Sequence, residues 1–140
     1  MRLISRRLTP GDFDHELVWL SVSTVAAAAG VGWLWLGLGW PRCPLLAMTG
    51  YPCLTCGATR CAIAFGHGHF FQAWLWNPLA LAGLCGVVLF DLYAAVVLVA
   101  RLPRLRPIDR SRAEKRIVRV TVVALLAVNW IYLLAHRTQF

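Results

Sequence analysis

The sequence predicts an all-α integral membrane protein with about three transmembrane helices and an interfacial or re-entrant cysteine-containing loop between the first and the second. Two observations predict this fold class. Of the 140 residues, 59% are hydrophobic, which is high for a soluble domain. The apolar stretches also reach the ~20 helical residues that are needed to cross a bilayer. We expect a single membrane domain over residues 1–140.

The first span is predicted at residues 17–40, where no side chain is charged. Arg2, Arg6 and Arg7 precede it, an arrangement that also occurs in cleaved signal peptides. The apolar run nevertheless continues through Trp40, well past the small residues that a signal peptidase would accept. We therefore interpret this segment as an uncleaved membrane anchor.

The second and third spans are predicted at residues 78–100 and 117–135, and each contains one charged side chain, Asp91 and Arg119. An unpaired charge in the hydrocarbon core costs ~2.5–3.5 kcal/mol on insertion scales. A long arginine side chain can cover the predicted difference in depth between the two positions. We therefore predict a buried ion pair between Asp91 and Arg119, and a hydrogen bond from Asn129 to the second helix.

Basic residues are unequally distributed between the two sides that three spans define. The N-terminal segment and the loop at 101–116 carry ten of them, whereas the loop at 41–77 and the C-terminal segment carry three. Because cytoplasmic loops are enriched in Lys and Arg, we predict a protein of the cell membrane with a cytoplasmic N-terminus, a basic cytoplasmic loop and an extracytoplasmic cysteine loop. Six of the seven tryptophans fall toward the predicted outer ends of the spans.

The net charge of +8 raises the question of a nucleic-acid partner. Seven of the 14 basic residues lie in the single loop between the second and third spans, which is typical of membrane topology and argues against nucleic acid. The expected partners are the lipid bilayer and other membrane proteins or a second copy of the chain, because glycine and alanine faces suit helix packing.

The cysteine loop (residues 41–77) combines prolines, glycines and two short helical patterns. Residues 41–52 are rich in Pro and Gly and are expected to be irregular but compact. A short helix is predicted at 58–65, closed by Gly66, and a second helical turn at 70–76. Asn77 and Pro78 then begin the second span, since proline suits the first turn of a helix.

The order of residues in this loop closely resembles the signature of a bacterial membrane family known as domain of unknown function 2752. That signature comprises Cys-Pro, Thr-Gly, a close cysteine pair followed by Gly, Thr-Arg, and an Asn-Pro that opens a span. The resemblance covers roughly residues 40–95 and implies no particular activity. Leu54 departs from the usual proline, and Cys61 replaces a small apolar residue. The matching residues are Cys43, Pro44, Thr49, Gly50, Cys53, Cys56, Gly57, Thr59, Arg60, Asn77 and Pro78.

Three cysteines, Cys43, Cys53 and Cys56, are the candidates for chemistry. A C-x-x-C pair at the start of a helix, one turn from Arg60, favours thiolates, which suit redox exchange or soft-metal binding equally. For a tetrahedral zinc site, the fourth ligand is expected from Cys61, His67 or His69. The third alternative is a structural disulfide from Cys43 to Cys53 or Cys56.

The sequence favours a non-enzymatic role over catalysis. It contains no Ser-His-Asp arrangement, phosphate-binding glycine loop or HExxH zinc motif, and no catalytic residue is assigned. We interpret the cysteine loop as an extracytoplasmic structural or interaction element in a membrane assembly. The alternative is a membrane thiol-disulfide oxidoreductase or a metal-binding protein that uses the C-x-x-C pair, with zinc as the candidate cofactor.

Overall fold

The computed structural model describes residues 3–6, 14–39, 43–100, 102, 104–107 and 111–137. These residues form six helices and two short strands. In chain order the elements are β1 (Leu3–Arg6), α1 (His15–Trp35), α2 (Pro44–Thr49), α3 (Ala58–Gly66), α4 (Phe70–Trp76), α5 (Pro78–Val99), β2 (Arg104–Pro107) and α6 (Arg112–Ala135).

Three helices in the described part of the chain, α1, α5 and α6, are long and apolar enough to cross a membrane. They have 21, 22 and 24 residues, so each exceeds the ~20 residues that span ~30 Å of hydrocarbon. The cysteines other than Cys85 lie between the first and the second of them. The predicted fold class, an α-helical multi-pass membrane protein, is confirmed.

Helix α1 ends at Trp35, short of the predicted boundary at residue 40. Gly37 adopts a positive φ of 65°, and its N–H donates to the Leu34 carbonyl at 3.1 Å. The N–H of Leu38 donates to the Trp33 carbonyl at 3.4 Å. This pair of bonds is a Schellman motif, which ends a helix where glycine can enter the left-handed region.

Helix α6 begins at Arg112, several residues before the predicted start at 117. Part of the predicted basic loop is therefore helical. The added turn contains Ala113, Glu114 and Lys115, which are good helix formers, and Glu114 lies where the helix dipole favours a negative charge. Arg119 is exposed and lies two turns into this helix, which lets its side chain extend along the surface toward the helix start.

The cysteine loop is more helical than predicted. The segment expected to be irregular contains α2, which Pro44 begins and Gly50 ends with a φ of 72°. The prediction of an irregular segment was wrong because proline at the first helical position and glycine just after the last one favour a short helix between them. The predicted helices at 58–65 and 70–76 are confirmed by α3 and α4.

Strands β1 and β2 were not predicted, and they form a two-stranded antiparallel ribbon. Leu3 lies opposite Pro107 and Arg6 lies opposite Arg104. Strands of four residues that are rich in arginine carry little local signal, so only the pairing across the chain reveals them. The ribbon joins the N-terminal segment to the loop that follows α5.

The chain divides into two compact units. The first runs to Gly39 and includes Gly86–Ala113, so it contains α1, the later part of α5 and the β-ribbon. Within it, the Ser23 hydroxyl donates to the Asp91 carboxylate at 2.8 Å. This bond satisfies part of the carboxylate that the sequence places inside the second span. The ion pair between Asp91 and Arg119 stays a prediction, since the two residues belong to different units.

The second unit contains the cysteine loop, the start of α5 and α6 from Glu114. Its core is small and lies between α3, α4 and the first turns of α5. Cys61 and Ala73 are completely buried at its centre. The residues that pack around this centre are Ala64, Phe65, Trp76, Ala80, Leu81 and Leu84. Small side chains at the centre let α3 and α4 approach each other closely.

Candidate functional site

Three thiols from separate points of the cysteine loop converge in the second unit. Cys43 Sγ lies 3.3 Å from Cys53 Sγ, and Cys53 Sγ lies 3.6 Å from Cys56 Sγ. All three sulfur atoms lie within 4.8 Å of one another. We call this group the thiol cluster. The three cysteines that the sequence singled out first are therefore the ones that the fold brings together.

A reversal of the chain after α2 brings Cys53 back to Cys43. Cys43 immediately precedes α2, and Gly50 turns the chain after that helix. Thr49 supports the turn, because its hydroxyl donates to the Leu45 carbonyl at 2.6 Å and accepts from the Tyr51 N–H at 3.3 Å. The Thr-Gly of the motif thus shapes the backbone that returns Cys53 to Cys43.

A tight turn positions the C-x-x-C pair. The N–H of Cys56 donates to the Cys53 carbonyl at 3.0 Å, and Gly57 follows with a φ of 76°. The N–H of Cys53 donates to Cys56 Sγ at 3.3 Å, and the Thr55 hydroxyl lies 3.3 Å from Cys53 Sγ. Donors of this kind stabilise negative charge on sulfur.

The environments of two thiols drive their pKa values in opposite directions. The backbone N–H of Leu46, in the first turn of α2, and then the Cys53 side chain lower the pKa of Cys43 to about 7. Burial, followed by the hydrogen bond with Cys43, raises the pKa of Cys56 to about 12. Cys56 is only 5% exposed, whereas Cys43 and Cys53 are half-buried. The cluster therefore has one closed side and one accessible side.

The Asn77 side chain binds the backbone of the C-x-x-C turn. Its side chain is completely buried, and its amide donates to the carbonyls of Leu54 at 3.3 Å and Cys56 at 3.0 Å. Its side-chain oxygen accepts from the Ala80 N–H at 3.0 Å, which caps the first turn of α5. Sequence patterns placed Asn77 at the start of the second span and in the family motif, and they did not link this residue to the cysteines. An Asn-Pro at a predicted helix start was the available signal for a capping role.

Helix α6 also contacts the loop, through residues that sequence reasoning did not place at the site. The Trp130 indole N–H donates to the Pro52 carbonyl at 3.1 Å, and the Tyr132 hydroxyl donates to the Leu75 carbonyl at 3.1 Å. Asn129 accepts from the Leu79 N–H of α5 at 3.2 Å, which confirms the predicted bond to the second helix. Its amide nitrogen is buried without a hydrogen-bond partner.

The secondary ligand candidates lie apart from the thiol cluster. Cys61 Sγ is buried and faces the Asn77 carbonyl at 3.7 Å, and burial raises the pKa of its thiol. The His67 ring contacts the Ile63 carbonyl at 3.0 Å, and His69 is exposed before α4. Cys85 is exposed on α5. Among the described residues, the group within ligand distance consists of the three cluster thiols.

The remaining motif residues shape the surroundings of the cluster. The Arg60 guanidinium carbon lies 4.6 Å from the centroid of the Trp76 ring, a cation–π contact between α3 and α4. Thr59 is half-buried in the first turn of α3, and Pro78 is the first residue of α5. The contact of Arg60 with Trp76 therefore links the two short helices.

The thiol cluster can support three kinds of chemistry. Two of the sulfur atoms can form a disulfide after a small approach, since the bond requires ~2.05 Å. An accessible thiolate can attack a disulfide of another protein. All three sulfur atoms can also coordinate one soft metal ion.

Because the pKa values of Cys43 and Cys56 are shifted in opposite directions, Cys43 should react with an alkylating reagent before Cys56 in the reduced, metal-free protein. Because the thiolate is the nucleophile, alkylation of Cys43 should rise through a midpoint near pH 7, while Cys56 should stay protonated and unreactive at pH 8. Peptide mapping by mass spectrometry after timed iodoacetamide treatment measures both. Cys85 is the internal reference. Faster alkylation of Cys56 than of Cys43 would contradict the described environments.

Comparison with known proteins gives a match to a protein family. No curated protein and no solved structure matches this chain significantly. Residues 43–90, which include the thiol cluster, Asn77 and most of α5, match the model of the family described as Protein of unknown function (DUF2752), so the resemblance inferred from the cysteine motif is confirmed.

Proposed function

We propose that this chain is a small multi-pass membrane protein whose cysteine loop is a rigid structural element on the extracytoplasmic face of a membrane assembly. The observation that carries the proposal is the set of hydrogen bonds that tie the loop to the ends of two apolar helices. Asn77, Trp130 and Tyr132 each bind loop carbonyls. A loop held at so many points is suited to presenting a fixed surface.

The orientation is supported by charge and by the β-ribbon. Ten basic residues lie in the N-terminal segment and the loop at 101–116, against three on the opposite side. Pairing of β1 with β2 joins these two basic segments. Segments that pair in this way lie on the same side of a membrane, which agrees with two spans between them.

The topology can be tested with a membrane-impermeant maleimide on intact cells after mild reduction. We expect Cys43 and Cys53 to be labelled from outside, because both are partly exposed in the loop. Cys85, within the apolar α5, should be labelled only in detergent. Labelling of the loop cysteines only after cell lysis would overturn the orientation.

Participation in an assembly is supported by the open surface of the first unit. No residue in the apolar stretch of α1 is buried. A groove lies between α1 and α5. The groove includes Ser23 and Asp91, and polar atoms at this depth favour a protein occupant because acyl chains cannot hydrogen-bond. Its other lining residues include Thr24, Ala27, Ala28 and Gly32. We propose that a transmembrane helix of a second copy occupies this groove, since small residues allow close helix approach.

If two copies associate through the groove, a larger side chain inside the groove should weaken the dimer, whereas one elsewhere on α1 should not. Gly32→Ile should raise the dissociation constant of the dimer in detergent about tenfold, the equivalent of ~1.4 kcal/mol, because the added side chain blocks close approach. Val25→Ile is the matched control, on an exposed position of the same helix that does not line the groove. The measurement is sedimentation or native mass spectrometry. A monomeric wild-type chain, or equal losses in both variants, would contradict self-association here.

A second candidate function, thiol–disulfide exchange, is favoured by the pKa asymmetry within the cluster. An accessible thiol of lowered pKa beside a buried thiol of raised pKa resembles an attacking and a resolving cysteine. In that role the Cys43 thiolate would attack a disulfide of another protein, breaking its S–S bond, releasing one of its sulfur atoms as a thiolate and forming a mixed disulfide with the other. A neighbouring thiol, as its thiolate, would then displace that second sulfur atom, which leaves the other protein reduced and a disulfide within the cluster.

Substitution of Cys53 or Cys56 by serine separates the two functions. A structural loop predicts that each variant lowers the amount of folded protein in the membrane, because the turn loses its sulfur contacts. Exchange predicts normal abundance and an accumulated mixed disulfide that reducing agent releases. Cys85→Ser is the control, and immunoblots with and without reductant are the measurement. Normal abundance without a mixed disulfide would contradict both roles.

A further inference from the structure

We propose that the thiol cluster of Cys43, Cys53 and Cys56 is a mononuclear binding site for a soft d¹⁰ cation, Zn²⁺ or Cu⁺, with one coordination position open to an external ligand. The proposal deepens the proposed function of the cysteine loop and rests on it for the setting at the membrane face. The geometry of the site itself is independent of that setting.

The spacing of the sulfur atoms fits three corners around one ion. With Zn–S bonds of ~2.3 Å, two sulfur ligands of a tetrahedral ion lie about 3.8 Å apart. The observed separations are 3.3 Å for Cys43–Cys53 and 3.6 Å for Cys53–Cys56, and no pair exceeds 4.8 Å. A disulfide would use two of these sulfur atoms and leave the third without a role, whereas one ion uses all three.

Groups around the sulfur atoms suit bound thiolates. The Cys53 N–H is directed at Cys56 Sγ, and the Thr55 hydroxyl is within reach of Cys53 Sγ. Asn77 holds the carbonyls on the far side of the C-x-x-C turn and so acts as a positioning residue. Contacts of this kind orient metal ligands and raise metal affinity.

The type of cation follows from the donor set. Three sulfur donors without a carboxylate or imidazole in the described group select soft ions over Mg²⁺ or Ca²⁺. A closed structural zinc site would need a fourth protein ligand, but Cys61 Sγ faces the Asn77 carbonyl instead. Cys43 and Cys53 leave the accessible side open, so water or a partner's side chain can supply a fourth ligand to zinc, whereas Cu⁺ is satisfied by three thiolates.

Binding is a coordination step without electron transfer. Each thiol that becomes a ligand releases its proton to solvent, and three sulfur–metal bonds form. Up to three protons are therefore released per ion, and the oxidation states of sulfur and metal do not change.

The test uses the full chain, purified in detergent under reducing conditions and then freed of excess reductant anaerobically. The protein is incubated with Zn²⁺ or with Cu⁺ in separate samples, desalted, and analysed for metal by mass spectrometry. We expect one ion per chain. The sample that retains its metal after desalting identifies the preferred cation. Co²⁺ in place of Zn²⁺ should give the strong thiolate-to-cobalt absorption of a site with three sulfur ligands.

Variants show which sulfur atoms bind. Cys43→Ser, Cys53→Ser and Cys56→Ser should each abolish stoichiometric retention, while Cys85→Ser and Cys61→Ala should retain one ion. Thr55→Val changes an exposed residue and should weaken affinity by about tenfold through the lost contact with Cys53 Sγ. In the wild-type chain, bound metal should protect Cys43 and Cys53 from alkylation, a readout that does not depend on the folding of any variant.

Several results would overturn the proposal. They are the absence of retained Zn²⁺ and Cu⁺ in folded wild-type protein, retention that depends on Cys61 or Cys85, and alkylation of Cys43 or Cys53 at a rate that bound metal leaves unchanged. Because these measurements are made in detergent, their failure leaves the topology and the assembly role of the loop standing.

Discussion

The buried carboxamide of Asn77 is the contact on which the arrangement of the cysteine loop depends. It donates to two carbonyls of the C-x-x-C turn and accepts from the Ala80 N–H at the start of α5. A buried polar group without a partner costs about 1–3 kcal/mol, so one side chain prevents several such penalties at once. Asparagine has both a donor and an acceptor end, and few residue types could serve the turn and the helix together.

The membrane imposes the second constraint. Where apolar helices meet a polar loop, every backbone carbonyl needs a partner from protein or water. Trp130 and Tyr132 meet this need, because each combines a large apolar ring with one donor that reaches a loop carbonyl. The same side chains thus pack along α6 and anchor the loop. This dual character explains why aromatic residues gather at this end of the unit.

Burial determines how the thiols of this chain differ. Cys61, in the small core between α3 and α4, packs as an apolar residue. Cys56 is nearly as buried but lies beside two other sulfur atoms, and Cys43 and Cys53 face outward. A cluster with a closed and an open side is suited both to clamping the loop and to receiving an ion or a partner. The open side also distinguishes it from a fully enclosed structural site.

The sequence by itself determined the three apolar helices, the short helices at α3 and α4, and the three cysteines of the cluster. The helices follow from local length, hydropathy and spacing, which are properties of contiguous residues, whereas the choice of the three cysteines over Cys61 rested on the resemblance to the family signature. Only the tertiary structure decided the pairing of β1 with β2, the role of Asn77, the contact of Trp130 with Pro52, and the separation of Cys61 and His67 from the cluster. Each of these depends on side-chain direction or on residues far apart in the chain, up to 78 positions for Trp130 and Pro52. Local patterns do not encode such distances, because they are settled when buried polar groups find partners during packing.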